Sequence, residues 1–200
     1  FKNAGDIIYL LGETNDELGA SEYYKMLAKN IHPAPTQVGA SPQEGNNTID
    51  NNVPKVDFKK NIKIYLALEK AIQKELITSS LSITAGGLGI ALAKACIGGM
   101  LGCNVSIKNT NRGGGNASAP YVKLFSESQG RILVSVSPKN ISRFKKIVKN
   151  IQYVKLGKVE KNKKFIIMDG RLARRGGNKI VETNIKKLHT IYHNFSNKMK

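Results

Sequence analysis

Tryptophan is absent from this chain, and cysteine occurs only twice in 200 residues. Cys96 and Cys103 both stand in apolar surroundings. A disulfide scaffold is therefore not expected, and a reducing cytoplasm fits the usage. His32 has no cysteine or second histidine beside it, so it is not read as a metal ligand. No apolar run approaches the ~18 residues that a spanning helix needs, and no secretory signal is expected from the opening residues. Acidic residues are scarce: 14 Asp and Glu face 32 Lys and Arg, for a formal charge of +18. Such an excess raises the question of nucleic acid. Here it is mostly lysine, dispersed along a chain also rich in Asn and Ile, and no basic run is interleaved with aromatics. The densest basic spot, Arg174-Arg175-Gly176-Gly177, is short. The expectation is a solvated basic surface, with neither nucleic acid nor membrane as partner.

What is present is enough apolar material, 40%, for one domain with a core or somewhat more. The chain starts at Phe1 with a strand soon after, which suggests a piece of a longer protein. Its centre is Leu76 to Ile107, which reads as strand, glycine turn, helix, glycine stop and strand. Leu81 and Ile83 lead into Ala85-Gly86-Gly87, where two glycines allow a sharp turn. Leu88, Leu92, Ala95 and Cys96 share one helical face. Ile90, Ala91 and Ala93 leave little polar surface opposite, so the helix is expected to be buried nearly all round. Gly98, Gly99 and Gly102 are expected to stop it. Cys103, Val105 and Ile107 then alternate with Asn104, Ser106 and Lys108 as a half-buried strand. Amides at Gly86 and Gly87 can hold a phosphate, or the turn can serve packing alone.

Around this centre the pattern is mixed. Gly5 to Thr14 holds a strand, and Ser21 can cap a helix bearing Tyr23, Met26 and Leu27. The turn before it, with Gly19 and Ser21, is a second place where amides can meet an anion. Residues 32–54 are dominated by Pro, Gly, Asn, Gln, Ser and Thr and read as a long mobile loop. A long amphipathic helix from near Asp57 is expected to carry Phe58, Ile62, Tyr65, Leu68 or Glu69, Ile72 and Leu76 along its apolar face, at three- and four-residue spacing. The triple glycine at 113–115 lacks Walker spacing and reads as a loop. Leu124 and Phe125 pack ahead of the polar turn Ser126-Glu127-Ser128-Gln129-Gly130. Arg131 opens a strand with Ile132, Val134 and Val136 inward. Ser137 and Pro138 begin a helix with Ile141, Phe144, Val148 and Ile151 on one face. Strands near Tyr153 to Val159 and Phe165 to Met168 follow, then a helix carrying Ile185, Leu188, Tyr192, Phe195 and Met199. Strands and helices without strict alternation predict an α+β fold, a mixed sheet with packed helices. No catalytic set, metal cluster or paired acid emerges from spacing.

Three segments in order resemble one family. "AGDIIYLLGETNDELGASEYYKML", "SLSITAGGLGIALAKACIGGMLG" and "KLFSESQGRILVSVSP" look like successive parts of the last domain of phosphoribosylformylglycinamidine synthase, synthetase subunit. "LGKV", Leu156 to Val159, resembles the short strand that follows. The resemblance covers nearly all 200 residues and implies an AIR-synthase-related C-terminal domain, the second B-type domain of a longer chain. It implies an ATP-dependent ligase of purine biosynthesis that converts formylglycinamide ribonucleotide to formylglycinamidine ribonucleotide. ATP and Mg²⁺ would act mostly in absent A-type domains, with neither bound tightly here. The implied partners are the remaining domains of the same subunit and a glutaminase subunit. Members usually read His-Asp-x-Ser-Asp/Glu-Gly-Gly-Leu where this chain has Leu81 to Leu88, so the histidine and both carboxylates are missing. Glu127, Ser128 and Gln129 match the triplet associated with substrate in the first B-type domain. With Gly19, Ser21, Gly86 and Gly87 they are the candidate substrate- or phosphate-binding residues; no catalytic or metal-ligating residue is assigned. A non-catalytic scaffold or degenerate paralogue of the superfamily is the alternative.

Overall fold

The computed structural model describes residues 1–31, 52–110, 119–170 and 178–198. Its chain order is β1 (Ile7–Leu11), α1 (Glu22–Ile31), α2 (Phe58–Gln73), β2 (Ser79–Ser82), α3 (Gly87–Gly99), β3 (Gly102–Ser106), α4 (Pro120–Phe125), β4 (Ile132–Val136), α5 (Ile141–Val148), β5 (Tyr153–Glu160), β6 (Lys164–Asp169), β7 (Asn178–Asn184) and α6 (Ile185–Lys198). The seven strands form one sheet in the order β2-β4-β1-β5-β3-β6-β7. Among the described strands only β3 and β6 pair in parallel, so the sheet is mixed, as expected.

Period-two alternation divides the core between the two faces of the sheet. Ile8 and Leu10 of β1, Leu133, Val105 and Ile167 meet α3, α4 and α6 on one face. Tyr9 and Leu11, with Ile132, Val134 and Val136 of β4, meet α2 and α5 on the other. β1 and β4 lie inside the sheet with helices on both sides, and β4 is buried at every position. Its one polar residue, Ser135, is satisfied by the Ser79 hydroxyl at 2.7 Å. The two thiols lie in the first of these cores. A hydrogen bond with Cys103, together with burial, pushes the Cys96 thiol up, so it stays protonated and inert.

Several expectations are corrected. In α2 the buried residues are Ile64 and Ala71, with Leu68 partly covered, whereas Phe58, Ile62, Tyr65 and Ile72 face outward. The helix carries two apolar stripes, and periodicity alone does not say which one meets the sheet. Helix α3 is not buried all round: Gly87, Leu88, Ala91, Leu92 and Cys96 are buried, while Ile90, Lys94 and Gly98 form an outward line. It does end at Gly99, within the glycine cluster, but no glycine supplies the cap. Met100 takes the left-handed C-terminal position at φ 51°. Gly99 is needed because a Cβ there would lie 1.8 Å from the Phe1 carbonyl oxygen. Ser137 makes no capping bond, and a single 3₁₀ turn, Pro138–Asn140, leads into α5. Helix α4 and strand β7 had no counterpart in the sequence reading. Residues 32–51, the triple glycine at 113–115, Arg174 to Gly177 and Met199 lie outside the described residues. No described helix is long and apolar enough to cross a membrane.

Candidate functional site

The site lies where β1 and β2 end and β4 begins, at one end of the sheet. Gly86 and Gly87 turn the chain from β2 into α3 with φ of 83° and 67°, both left-handed. A Cβ on Gly87 would lie 2.6 Å from the Leu124 carbonyl oxygen and 2.7 Å from that of Ser126. The glycine therefore lets α3 start directly against the end of α4, where Ser126 to Gly130 form the turn into β4. On the other side, Ser21 caps α1 by accepting from the Tyr24 amide at 3.4 Å. A Cβ on Gly19 would meet the Asn52 backbone at 2.7 Å, and its N–H donates to the Asn52 carbonyl at 3.0 Å.

One side chain joins these parts. The Glu127 Oε1 accepts from the Gly86 amide at 2.8 Å and from the Glu22 amide at 3.0 Å. Glu22 is the first residue of α1, and Gly86 immediately precedes α3. A single carboxylate thus sits at the positive ends of two helices, where the charge is favoured by both dipoles. The Gly87 N–H donates to the Thr84 carbonyl at 3.0 Å. Both glycine-turn amides therefore have internal acceptors.

Ser128 Oγ accepts from the Asn15 amide at 3.0 Å. Gln129 is exposed and donates to the Glu127 carbonyl at 3.3 Å. All seven sequence-predicted residues fall in, or for Gly87 at the end of, the three connections that meet here, β1–α1, β2–α3 and α4–β4. Gly86, Gly87, Glu127 and Ser128 interlock, Ser21 supports them through α1, and Gly19 serves the crossing with residue 52.

The sequence reading missed the group beneath this turn. Arg131 is 1% exposed, although its charge suggests the surface. Its guanidinium donates to the Ser128 carbonyl at 3.0 Å, to Thr14 Oγ1 at 2.9 Å and to the Ser126 carbonyl. Burial lowers its pKa to about 10, against the opposing pull of Glu17 and Glu127, so it keeps its charge at neutral pH. Glu17 is buried as well and accepts from the Lys55 amide at 3.1 Å. Lys123 of α4, also buried, pairs with Asp169 at 3.1 Å and ties α4 to the end of β6. Tyr23 stacks on Phe125 with centroids 5.0 Å apart, fixing α1 on α4. The signals for this group were Thr14, Glu17 and Arg131 standing in or beside segments already singled out.

Among the described residues no group of three His, Cys, Asp or Glu is placed to hold a metal ion. These residues do not fit a resident magnesium. The arrangement can hold three loops and two helix starts in fixed relation. It contains no nucleophile set against a base.

The fold and the motifs both have relatives. A model of the family described as AIR synthase related protein, C-terminal domain, matches residues 3–170. The chain is 34% identical over 136 residues to phosphoribosylformylglycinamidine synthase subunit PurL of Methanocaldococcus jannaschii, covering 68% of this chain and 16% of that protein. It is 28% identical over 195 residues to the same subunit of Methanococcus aeolicus, covering 98% and 22%. It therefore spans only about a fifth of the curated relatives it matches. A solved structure of T. maritima PurL complexed with FGAR superposes with a TM-score of 0.70 at 18% identity, over 94% of this chain and 28% of that one. E. coli HypE, a hydrogenase maturation protein, shares the fold at a TM-score of 0.56 and 13% identity, over 91% and 49%. The glycine turn, the Glu127 turn and the strands between them all lie within the family match, and the chain belongs to the AIR synthase related proteins, as their C-terminal domain.

Proposed function

We propose that this chain is a domain of a formylglycinamidine ribonucleotide synthetase, an ATP-dependent ligase of purine biosynthesis. In this reading it is the second B-type domain of a longer chain and works in the cytoplasm with the remaining domains and a glutaminase subunit. Support comes from the curated relatives, which carry the synthase name over as much as 98% of this chain. Solved relatives described as complexed with FGAR, with ATP and as PurLQS point the same way.

Within that enzyme the domain's part is to position. The observation that carries this is the Glu127 carboxylate held by the Gly86 and Glu22 amides at 2.8 and 3.0 Å. Of the two glycine-turn donors at the start of α3, the Gly86 amide is engaged by the protein's own anion and the Gly87 amide by the Thr84 carbonyl. The strand end leading into them, Leu81 to Ala85, offers no ionisable side chain. Arg131 holds the same turn from below. The turn then presents Gln129 outward from a rigid base, and ATP and magnesium chemistry belongs to the other domains.

A genetic replacement tests the reading. In the Carboxydothermus hydrogenoformans relative, which matches 96% of this chain, the matched region is exchanged for these residues. In a purine auxotroph lacking the synthetase, the exchanged gene is expected to restore growth without purine. A soluble, expressed hybrid that fails to do so overturns the assignment.

A further inference from the structure

Helix α2 leaves an apolar stripe uncovered. Phe58 is 80% exposed, Ile62 54% and Leu66 57%, and Tyr65 and Ile72 are also exposed. At about 100° per residue, Phe58, Ile62, Tyr65 and Ile72 lie on one line with Leu66 beside it. Val53 and Val56, both half-exposed, extend it toward the start of the helix. More than half of the exposed large apolar side chains described for the chain lie in this one segment. The helix does not need them for its own fold, because Ile64, Leu68 and Ala71 already seat it on the sheet. A concentrated stripe of this kind marks an interaction surface.

Charge selects the occupant. Lys59, Lys63 and Lys70 follow the same helical spacing and run along one flank of the stripe. A second copy would bring the same lysines together, on a chain whose formal charge is already +18. Glu69 lies on the line of the stripe itself, which opposes an anionic lipid surface. About four fifths of the Methanococcus aeolicus relative lies outside the region this chain matches.

We infer that the outer face of α2 docks a neighbouring domain of the same synthetase, through an apolar patch bordered by carboxylates that meet Lys59, Lys63 and Lys70. This rests on the synthetase reading above. The stripe supplies the contact and the lysine row sets its register.

The test titrates this chain into the Methanococcus aeolicus relative from which the matched region has been removed, by calorimetry at low and physiological salt. A complex is expected. Ile62→Glu or Tyr65→Glu should weaken it at least tenfold, and Lys59→Glu with Lys63→Glu should remove most of its salt dependence. Ile191→Glu, on the exposed side of α6, should leave it unchanged. Thermal melts matching the parent chain show that the variants remain folded. A complex indifferent to the α2 substitutions overturns the docking face while leaving the synthetase reading standing. Absence of any complex also overturns the docking face, and the genetic replacement then decides the synthetase reading separately. Self-association of the parent chain, or its binding to phosphatidylserine vesicles, overturns the choice of occupant if Ile62→Glu abolishes it.

Discussion

Replacing Glu127 tests whether one carboxylate holds two helix starts together. In Glu127→Ala the Gly86 amide, partly buried, loses an acceptor at 2.8 Å. A hydrogen bond to a charged acceptor contributes about 1.5–3 kcal/mol, and leaving a buried donor unpaired is costlier than replacing both partners. The Glu22 amide, at 3.0 Å from the same oxygen, is exposed and regains water. Its loss resembles removal of an N-cap, about 0.5–1 kcal/mol. Together the change should destabilise the fold by about 2–4 kcal/mol, or roughly 4–16 °C in Tm for a domain of this size. Glu127→Gln keeps an acceptor oxygen and loses only the charge at the two helix ends, so about 1 kcal/mol is expected. Urea titration of both variants, followed by circular dichroism, gives the comparison. Equal losses in Ala and Gln, or a loss below about 0.5 kcal/mol in Ala, would refute the clamp.

Gly87→Val places a Cβ 2.6 Å from the Leu124 carbonyl oxygen in a backbone with φ of 67°. Left-handed strain and overpacking together predict a loss of about 2–5 kcal/mol, read as a fall in the urea midpoint. Arg131→Met removes three donors from carbonyl and hydroxyl acceptors and leaves Glu17 buried without its nearby cation; a loss of about 3–5 kcal/mol in the same titration is expected. Asp169→Asn weakens the pairing of buried Lys123, and partial exposure of Asp169 limits the effect to about 1–2 kcal/mol. The +18 charge should give no sub-micromolar binding to duplex or single-stranded DNA at physiological salt, which fluorescence anisotropy can check.

Much of the fold was legible because its strongest signals are local. Alternation at Cys103, Val105 and Ile107 named β3, and the paired glycines at 86 and 87 named the start of α3. The helix expected from near Asp57 begins at Phe58, and Asp57 caps it by accepting from the Lys60 amide at 3.0 Å. What was illegible depends on tertiary partners. Two apolar stripes on α2 give the same periodicity, and only the sheet decides which is buried. Strand β7, Asn178–Asn184, is an edge strand with polar ends whose Ile180 and Val181 are only partly covered, so it has no clean alternation. Met100 adopts a conformation usually left to glycine, which puts the left-handed C-cap of α3 one residue beyond Gly99. At the site, Gly86 and Glu127, singled out separately by residue type, prove to be hydrogen-bonded partners. Composition could not show that Arg131, one of the 32 basic residues, is buried beneath them.

The central claim is that this domain positions a reaction completed elsewhere. It is tested most directly by ADP release in the presence of ATP, magnesium, ammonia and formylglycinamide ribonucleotide. The hybrid bearing these residues in the Carboxydothermus hydrogenoformans relative should release ADP in a substrate-dependent manner, and the 200-residue chain alone should release none above background. Substrate-dependent turnover by the isolated chain, abolished in Glu127→Gln, would contradict the account by placing a complete catalytic site within it.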